Sequence, residues 1–159
     1  MTPARRMTIG ALALLALAQP IGVPALAAPP PAEQNTAEIK AIEAACYDYV
    51  DGQLEGDPAR VARALHPDLA KRAARPATQD EPLALRRMTK DELVALTRQG
   101  VIKTPRNQWQ RSVRVLDIAG NAAVARVETP WFIDYFHLGR WGDRWVIVNA
   151  LYYPKPRAD

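Results

Sequence analysis

Residues 131–153 read WFIDYFHLGRWGDRWVIVNALYY, two runs dense in aromatic and β-branched residues on either side of Gly142-Asp143. A glycine followed by a short polar residue supplies the positive first dihedral of a two-residue primed turn, so the stretch reads as a β-hairpin. The turn predicts a register: Trp141 faces Arg144, Arg140 faces Trp145, Leu138 faces Ile147, Phe136 faces Asn149, and Asp134 faces Leu151. Alternation then places Phe132, Asp134, Phe136, Leu138, Trp145, Ile147, Asn149, Leu151 and Tyr153 on one strongly apolar face, the face that helices are expected to cover. The opposite face carries Ile133, Tyr135, His137, Trp141, Val146, Val148 and Tyr152, and no obvious segment is left to cover it. An open face of that extent predicts a homodimer packed sheet on sheet, with Tyr135, His137, Val148 and Tyr152 at the contact.

Upstream, Ser112 to Ile118 and Ala122 to Glu128 flank Gly120-Asn121 and form another hairpin by the same logic. Before residue 112 the apolar period lengthens to that of helices. Ile39, Ile42, Cys46, Tyr49, Val50 and Gln53 fall at spacings of three and four, which predicts a helix from Thr36 to about Leu54, stopped by Gly56. Asp57-Pro58 is an N-cap followed by proline at the first helical position, opening a short helix through Val61, Ala64 and Leu65 that His66-Pro67 ends. Leu69 to Arg75 and Leu83 to Met88 are short and weakly patterned around Pro76 and Pro82, and are read as a loose hairpin. Thr89-Lys90-Asp91-Glu92 is a capping box opening a third helix through Leu93, Leu96 and Thr97, closed by Gly100. Three helices followed by a long antiparallel sheet make an α+β fold with the helices on one face.

At the N-terminus, Arg5-Arg6 precede an apolar run from Met7 to Ala18 and a small-residue stretch ending Ala25-Leu26-Ala27, the order of a cleavable secretory signal. The run is shorter than the roughly 20 residues a spanning helix needs, and Gln19, Pro20, Gly22 and Pro24 interrupt its continuation. Residues 1–27 are therefore expected to be a signal peptide and 28–35, with Pro29 to Pro31, a disordered leader. The folded domain is expected at 36–153 and a tail at 154–159. The destination is the periplasm or the medium, by the general secretory or the twin-arginine route.

Loss of Arg5 and Arg6 lowers the formal net charge from +4 to +2. Acids lie between the remaining basic places, Lys71-Arg72-Arg75 and Arg86-Arg87, so a nucleic-acid partner is not expected. Cys46 is the only cysteine. No intrachain disulfide can form, and its helical, apolar setting predicts a buried, inert thiol. Two histidines on opposite faces, with no close carboxylate cluster, do not make a metal ligand set. Glycines 52, 56 and 100 read as turns and helix stops, and no cofactor signature surrounds them.

Asp134 and Asn149 stand out on the inner face. A carboxylate buried without partners costs several kcal/mol or becomes protonated, so Asp134 needs a hydrogen-bonding partner, water or a ligand. Either Asp134 and Asn149 bond each other, or Asp134 caps the Thr129-Pro130 loop, or both orient a ligand between aromatic walls from Tyr49, Phe132, Phe136 and Trp145.

Several ordered pieces carry a resemblance: Tyr49-Val50-Asp51-Gly52 with Glu55-Gly56-Asp57, Ala64-Leu65-His66-Pro67, Met88 to Glu92, Gly120-Asn121-Ala122-Ala123 with Ala125, Asp134-Tyr135, Leu138, and Gly142 to Asn149. In these the sequence resembles the nuclear transport factor 2-like superfamily, in its lumazine-binding and SnoaL-like branch. The resemblance implies a cone-shaped, curved antiparallel sheet against three helices, the cystatin-like layout, with a pocket between them and commonly a homodimer. It also implies two functions: ligand binding without catalysis, or isomerase, dehydratase or cyclase chemistry through an Asp–His pair. Here the nearest candidates are Asp134 as general base with His66 or Tyr49 as acid. The expectation is an exported small-molecule-binding domain. The enzyme is the alternative, and a module acting only through the outer sheet face is a third reading.

Overall fold

In a computed structural model the described residues are 36–156. The expected signal peptide and leader, and the last three residues of the expected tail, lie outside them.

Helix α1 (Thr36–Glu55) turns its apolar stripe inward, burying Ile42, Cys46, Tyr49, Val50 and Leu54. The expected Asp57 cap opens α2 (Pro58–Ala64): its carboxylate accepts the backbone N–H groups of Ala59 and Arg60, each at 3.0 Å. Thr89 and Glu92 form the reciprocal capping box of α3 (Lys90–Arg98), and Gly100 follows it with φ of +70°. These starts and stops depend only on neighbouring residues, which is why they could be read locally.

The sheet has six strands: β1 (Leu65–Ala74), β2 (Leu85–Met88), β3 (Ser112–Ala119), β4 (Ala122–Glu128), β5 (Phe132–Trp141) and β6 (Arg144–Pro154). Their spatial order is β2-β1-β6-β5-β4-β3. Both hairpins turn where expected, with Gly120 and Gly142 at φ of +59° and +62°. The helices lie against one face, and the core joins α1 to β4, β5 and β6 through Ala125, Val127, Phe136, Leu138 and Ile147. The α+β, cone-type layout is as the sequence implies.

Two expectations are corrected. The weakly patterned stretch is a hairpin, with Lys71 paired to Met88 and Ala74 to Leu85. Its first strand, however, is ten residues long and begins at Leu65, which was expected in the second helix. On its other side β1 runs parallel to β6, aligning Lys71 with Ala150. Nothing local announces that contact, because its partners are some eighty positions apart.

The second correction concerns register. From the turn to Leu138↔Ile147 the expected pairing holds, but His137 then pairs with Asn149, Phe136 with Ala150 and Asp134 with Tyr152. Val148 is the extra residue of a β-bulge. Every later residue of β6 changes face, since the side-chain period is two. Ala150 and Tyr152 therefore turn toward the core, while Asn149, Leu151 and Tyr153 turn away from it. Leu151 and Tyr153 are each 53 % exposed.

Candidate functional site

The interior is organised around a lysine. On β1, Leu69, Lys71 and Ala73 alternate inward, and all three are buried. Lys71 lies beside Ala150 of β6, and beyond Ala150 is β5. The small methyl of Ala150 leaves room for the lysine stem to cross that strand. Its ammonium then meets Asp134, with Nζ 2.6 Å from Oδ1 and 2.8 Å from Oδ2, and donates to the Tyr49 hydroxyl oxygen at 2.9 Å. Three N–H donors thus find three oxygens. The rings of Tyr49, Phe132 and Tyr152 surround Nζ with centroids at 5.1, 5.3 and 4.7 Å, within reach of cation–π attraction.

Electrostatics follow from this geometry. Burial works against the Lys71 charge, but the Asp134 carboxylate and the Tyr49 oxygen outweigh it and hold the ammonium above its ordinary value. Burial pushes the Asp134 carboxyl up, while Lys71 opposes that push. Burial also pushes the Tyr49 hydroxyl up to about 12, despite the nearby ammonium. We take the centre as a neutral assembly of ammonium, carboxylate and un-ionised phenol. Its contacts at 2.6 and 2.8 Å are those of charge-assisted bonds.

Beside this centre lies a cavity of about 190 Å³. Phe132 and Tyr152, whose rings lie against Lys71 Nζ, line it together with Gln53, Arg86, Met88, Leu93, Leu96, Thr97, Val101 and Ile102. The Gln53 amide lies close enough to the Tyr49 hydroxyl to oppose part of the upward push of burial. Its Oε1 is buried and has no hydrogen-bond partner, and the residue as a whole is 7 % exposed. An acceptor taken out of water without a donor is destabilising by about 1–3 kcal/mol, and the residue that carries it lines this cavity together with Arg86 and Thr97.

The structure sorts the sequence-derived candidates. Tyr49 and Asp134 meet through Lys71, Phe132 flanks the ammonium, and Phe136 packs edge-on against Tyr49 with centroids 5.3 Å apart. Trp145 is buried elsewhere, under the Arg140 guanidinium at 5.5 Å. Asn149 does not face the centre: after the bulge it lies on the outer face, with its amide nitrogen 3.0 Å from Nδ1 of His137. His66 is also apart from Asp134, stacked on Trp141 with centroids 5.2 Å apart and accepting the Asp68 backbone N–H at Nδ1. Tyr152, expected at the dimer contact, instead lies over Lys71.

Lys71 and Gln53 were the residues missed. Lys71 sits next to Arg72 and reads as half of a surface basic pair. The available signal was its place in the alternation Leu69, Lys71, Ala73, combined with the need of a buried Asp134 for a cation. Gln53 stood on the apolar stripe of α1 as its polar end.

A family model described as "Putative lumazine-binding" matches residues 37–153. Among solved structures, the chain is similar to a nuclear transport factor 2-like protein of unknown function from Shewanella baltica. The two are 22 % identical with a TM-score of 0.63, over 76 % of this chain and 95 % of that one. A nuclear transport factor 2-like protein of unknown function from Methylobacillus flagellatus gives 23 % identity and a TM-score of 0.60, covering 76 % and 94 %. A ketosteroid isomerase-like protein from Erwinia carotovora atroseptica gives 16 % and 0.51, covering 76 % and 98 %. At these identities the likeness is one of fold. No curated protein shows significant similarity to the sequence.

Proposed function

This chain belongs to the lumazine-binding family of nuclear transport factor 2-like domains, and we propose that it binds a small, largely apolar molecule in the cavity beside Gln53. The observation that carries the reading is the lining of that cavity, seven apolar or aromatic side chains with Gln53, Arg86 and Thr97 as its polar members. A ligand of that kind would cover Phe132, Tyr152 and Met88 and find its polar contacts among Gln53, Arg86 and Thr97. In the Lys71–Asp134–Tyr49 assembly beside the cavity, all three lysine N–H groups are already engaged.

The geometry does not favour the enzymatic alternative. A general base must reach a substrate proton. Both Asp134 oxygens engage Lys71, the residue is 0 % exposed, and His66 is bound to other partners. A reaction at Asp134 would first have to open the ion pair.

The proposal includes export, with cleavage after Ala27 leaving Ala28 as the first residue. It also includes a homodimer through the outer face, supported by the exposed side chains of Tyr135, Leu151 and Tyr153. Export is checked by N-terminal sequencing of the protein recovered from the periplasm or medium. Binding is tested by native mass spectrometry of that protein and of a Gln53→Leu variant. A co-purifying small molecule in the wild type, lost in a variant of unchanged circular dichroism, is the expected result. Equal retention of the molecule by Gln53→Leu would remove the assignment to this cavity.

A further inference from the structure

A second cavity, of about 550 Å³, lies away from the one beside Gln53, and it differs in chemistry. Its walls include Arg63, His66, Lys90, Trp141, Arg144 and Val146, and no acidic residue lines it. Of its three permanent cations, Arg63 is engaged by the Asp48 carboxylate at 3.1 Å. The other two meet only main-chain oxygens: Lys90 Nζ donates to the Leu65 carbonyl at 2.8 Å, and Arg144 Nη2 to the Arg63 carbonyl at 3.1 Å. These bonds hold the two side chains in place and leave both charges without an anionic partner among the described residues.

His66 adds a donor whose identity is fixed by its surroundings. Its Nδ1 accepts the Asp68 backbone N–H at 3.1 Å, so the neutral ring carries its proton on Nε2. The Asp68 carboxylate stands 3.9 Å from that same Nδ1, so a protonated ring would direct its second N–H there and still present Nε2–H. In either state Nε2 carries a hydrogen, and His66 is one of the residues that line the groove.

The aromatic component is also positioned. Trp141 is folded back over Gly139, where a β-carbon would meet the tip of its ring at 2.7 Å. The missing side chain at 139 lets the ring lie there, and His66 stacks on it at an interplanar angle of 24°. Trp141 nevertheless remains 53 % exposed. The groove therefore combines charged and neutral N–H donors with an open indole surface and an apolar wall from Val146.

We propose that this groove is a binding site for a small anionic aromatic compound. Its carboxylate or phosphate would be taken by Lys90, Arg144 and the His66 Nε2–H, and its ring would lie against Trp141. Oxyanions suit the donors because charge-assisted N–H···O bonds are the stronger class and planar guanidinium groups match them in shape. A neutral ligand would leave the two cations unneutralised, and an aliphatic anion would leave the indole open. The site is independent of the Gln53 cavity, since no residue lines both.

The test is a titration by NMR of protein purified from cells expressing the full chain. The Trp141 indole N–H resonance is identified by its loss in Trp141→Phe. Phenyl phosphate and benzoate serve as probes, with benzyl alcohol as the uncharged control and cyclohexanecarboxylate as the non-aromatic one. The expected result is a saturable shift with at least one aromatic anion and none with benzyl alcohol. Affinity should fall at least tenfold in Arg144→Gln/Lys90→Gln, and cyclohexanecarboxylate should bind at least threefold more weakly than benzoate. Should Lys90→Gln loosen the fold, Arg144→Gln alone is expected to weaken binding at least threefold. Failure of both aromatic anions to saturate, an equal response to benzyl alcohol, or undiminished affinity in the charge variants would overturn the assignment.

Discussion

Lys71 shows how one side chain can fix the character of an interior. Replacing it with methionine leaves the Asp134 carboxylate without its cation in a place where water does not reach. Loss of one partner of a buried pair is destabilising by about 3–5 kcal/mol. Urea unfolding of Lys71→Met should show a loss of that size. The double variant Lys71→Met/Asp134→Leu should recover most of it, because no charge is then stranded. A second residue-scale consequence concerns alkali. Burial pushes the Cys46 thiol up from 9.0 to about 12, with Glu43 and Asp134 adding to it, and Tyr49 rises from 10.0 to about 12. Both groups hold their protons more firmly when folded, so their contribution is complete below pH 9 and is lost as pH rises toward 12. The urea midpoint should therefore decline above pH 9, and Cys46→Ala should move the onset toward pH 10. By the same reasoning, native Cys46 should resist iodoacetamide at pH 8 and label only in denaturant.

Among elements, β6 does the most to place the interior groups. The Val148 bulge brings Ala150, not Asn149, beneath the lysine stem. Ala150→Leu would drive a branched side chain into the path from Lys71 to Asp134. Overpacking of this kind typically is destabilising by about 1–3 kcal/mol, and a fall in melting temperature would register it. Thr89→Ala should cost about 1 kcal/mol by removing the cap of α3. These two elements also mark the limit of reading from sequence. The α3 cap and both hairpin turns were legible because Thr89 with Glu92, Gly120-Asn121 and Gly142-Asp143 act on their own neighbours. The bulge was not, since Val148 is chemically ordinary and the extra residue is selected by packing of both sheet faces. As a result Asp134, on β5, has the face expected of it, while Asn149, Leu151, Tyr152 and Tyr153 on β6 lie on the faces opposite to those expected. The partner of Asp134 escaped for a related reason: β1 meets β6 only in the folded molecule.

Across the whole molecule the outer sheet face remains to be accounted for. Tyr135, Leu151 and Tyr153 are 42 to 53 % exposed. On the dimer reading, sedimentation of the wild type should give twice the chain mass. Tyr135→Lys/Leu151→Lys, which touches neither cavity, should sediment as a monomer with unchanged ligand content. A wild-type monomer at micromolar concentration would end that reading. The sheet also explains how the family resemblance spans so much of the chain: the matched residues 37–153 run from the first turn of α1 to the penultimate residue of β6, so all six strands but for Pro154 fall within it.

The parallel pairing of β1 with β6 imposes an order on folding. A ribosome delivers β1 early and β6 last, so the lysine waits for its seat until nearly the whole chain has emerged. Contacts between such distant segments are slow to close, with mixed and β-rich domains refolding on the order of milliseconds to seconds. A chain cut after Asp143 would keep the three helices and five strands, as the β1–β2 hairpin and the β3–β4–β5 meander, with no strand to join them. The C-terminal segment thus acts as a keystone, and pulse-labelling hydrogen exchange should find protection of β1 and β6 arising together, in the final kinetic phase.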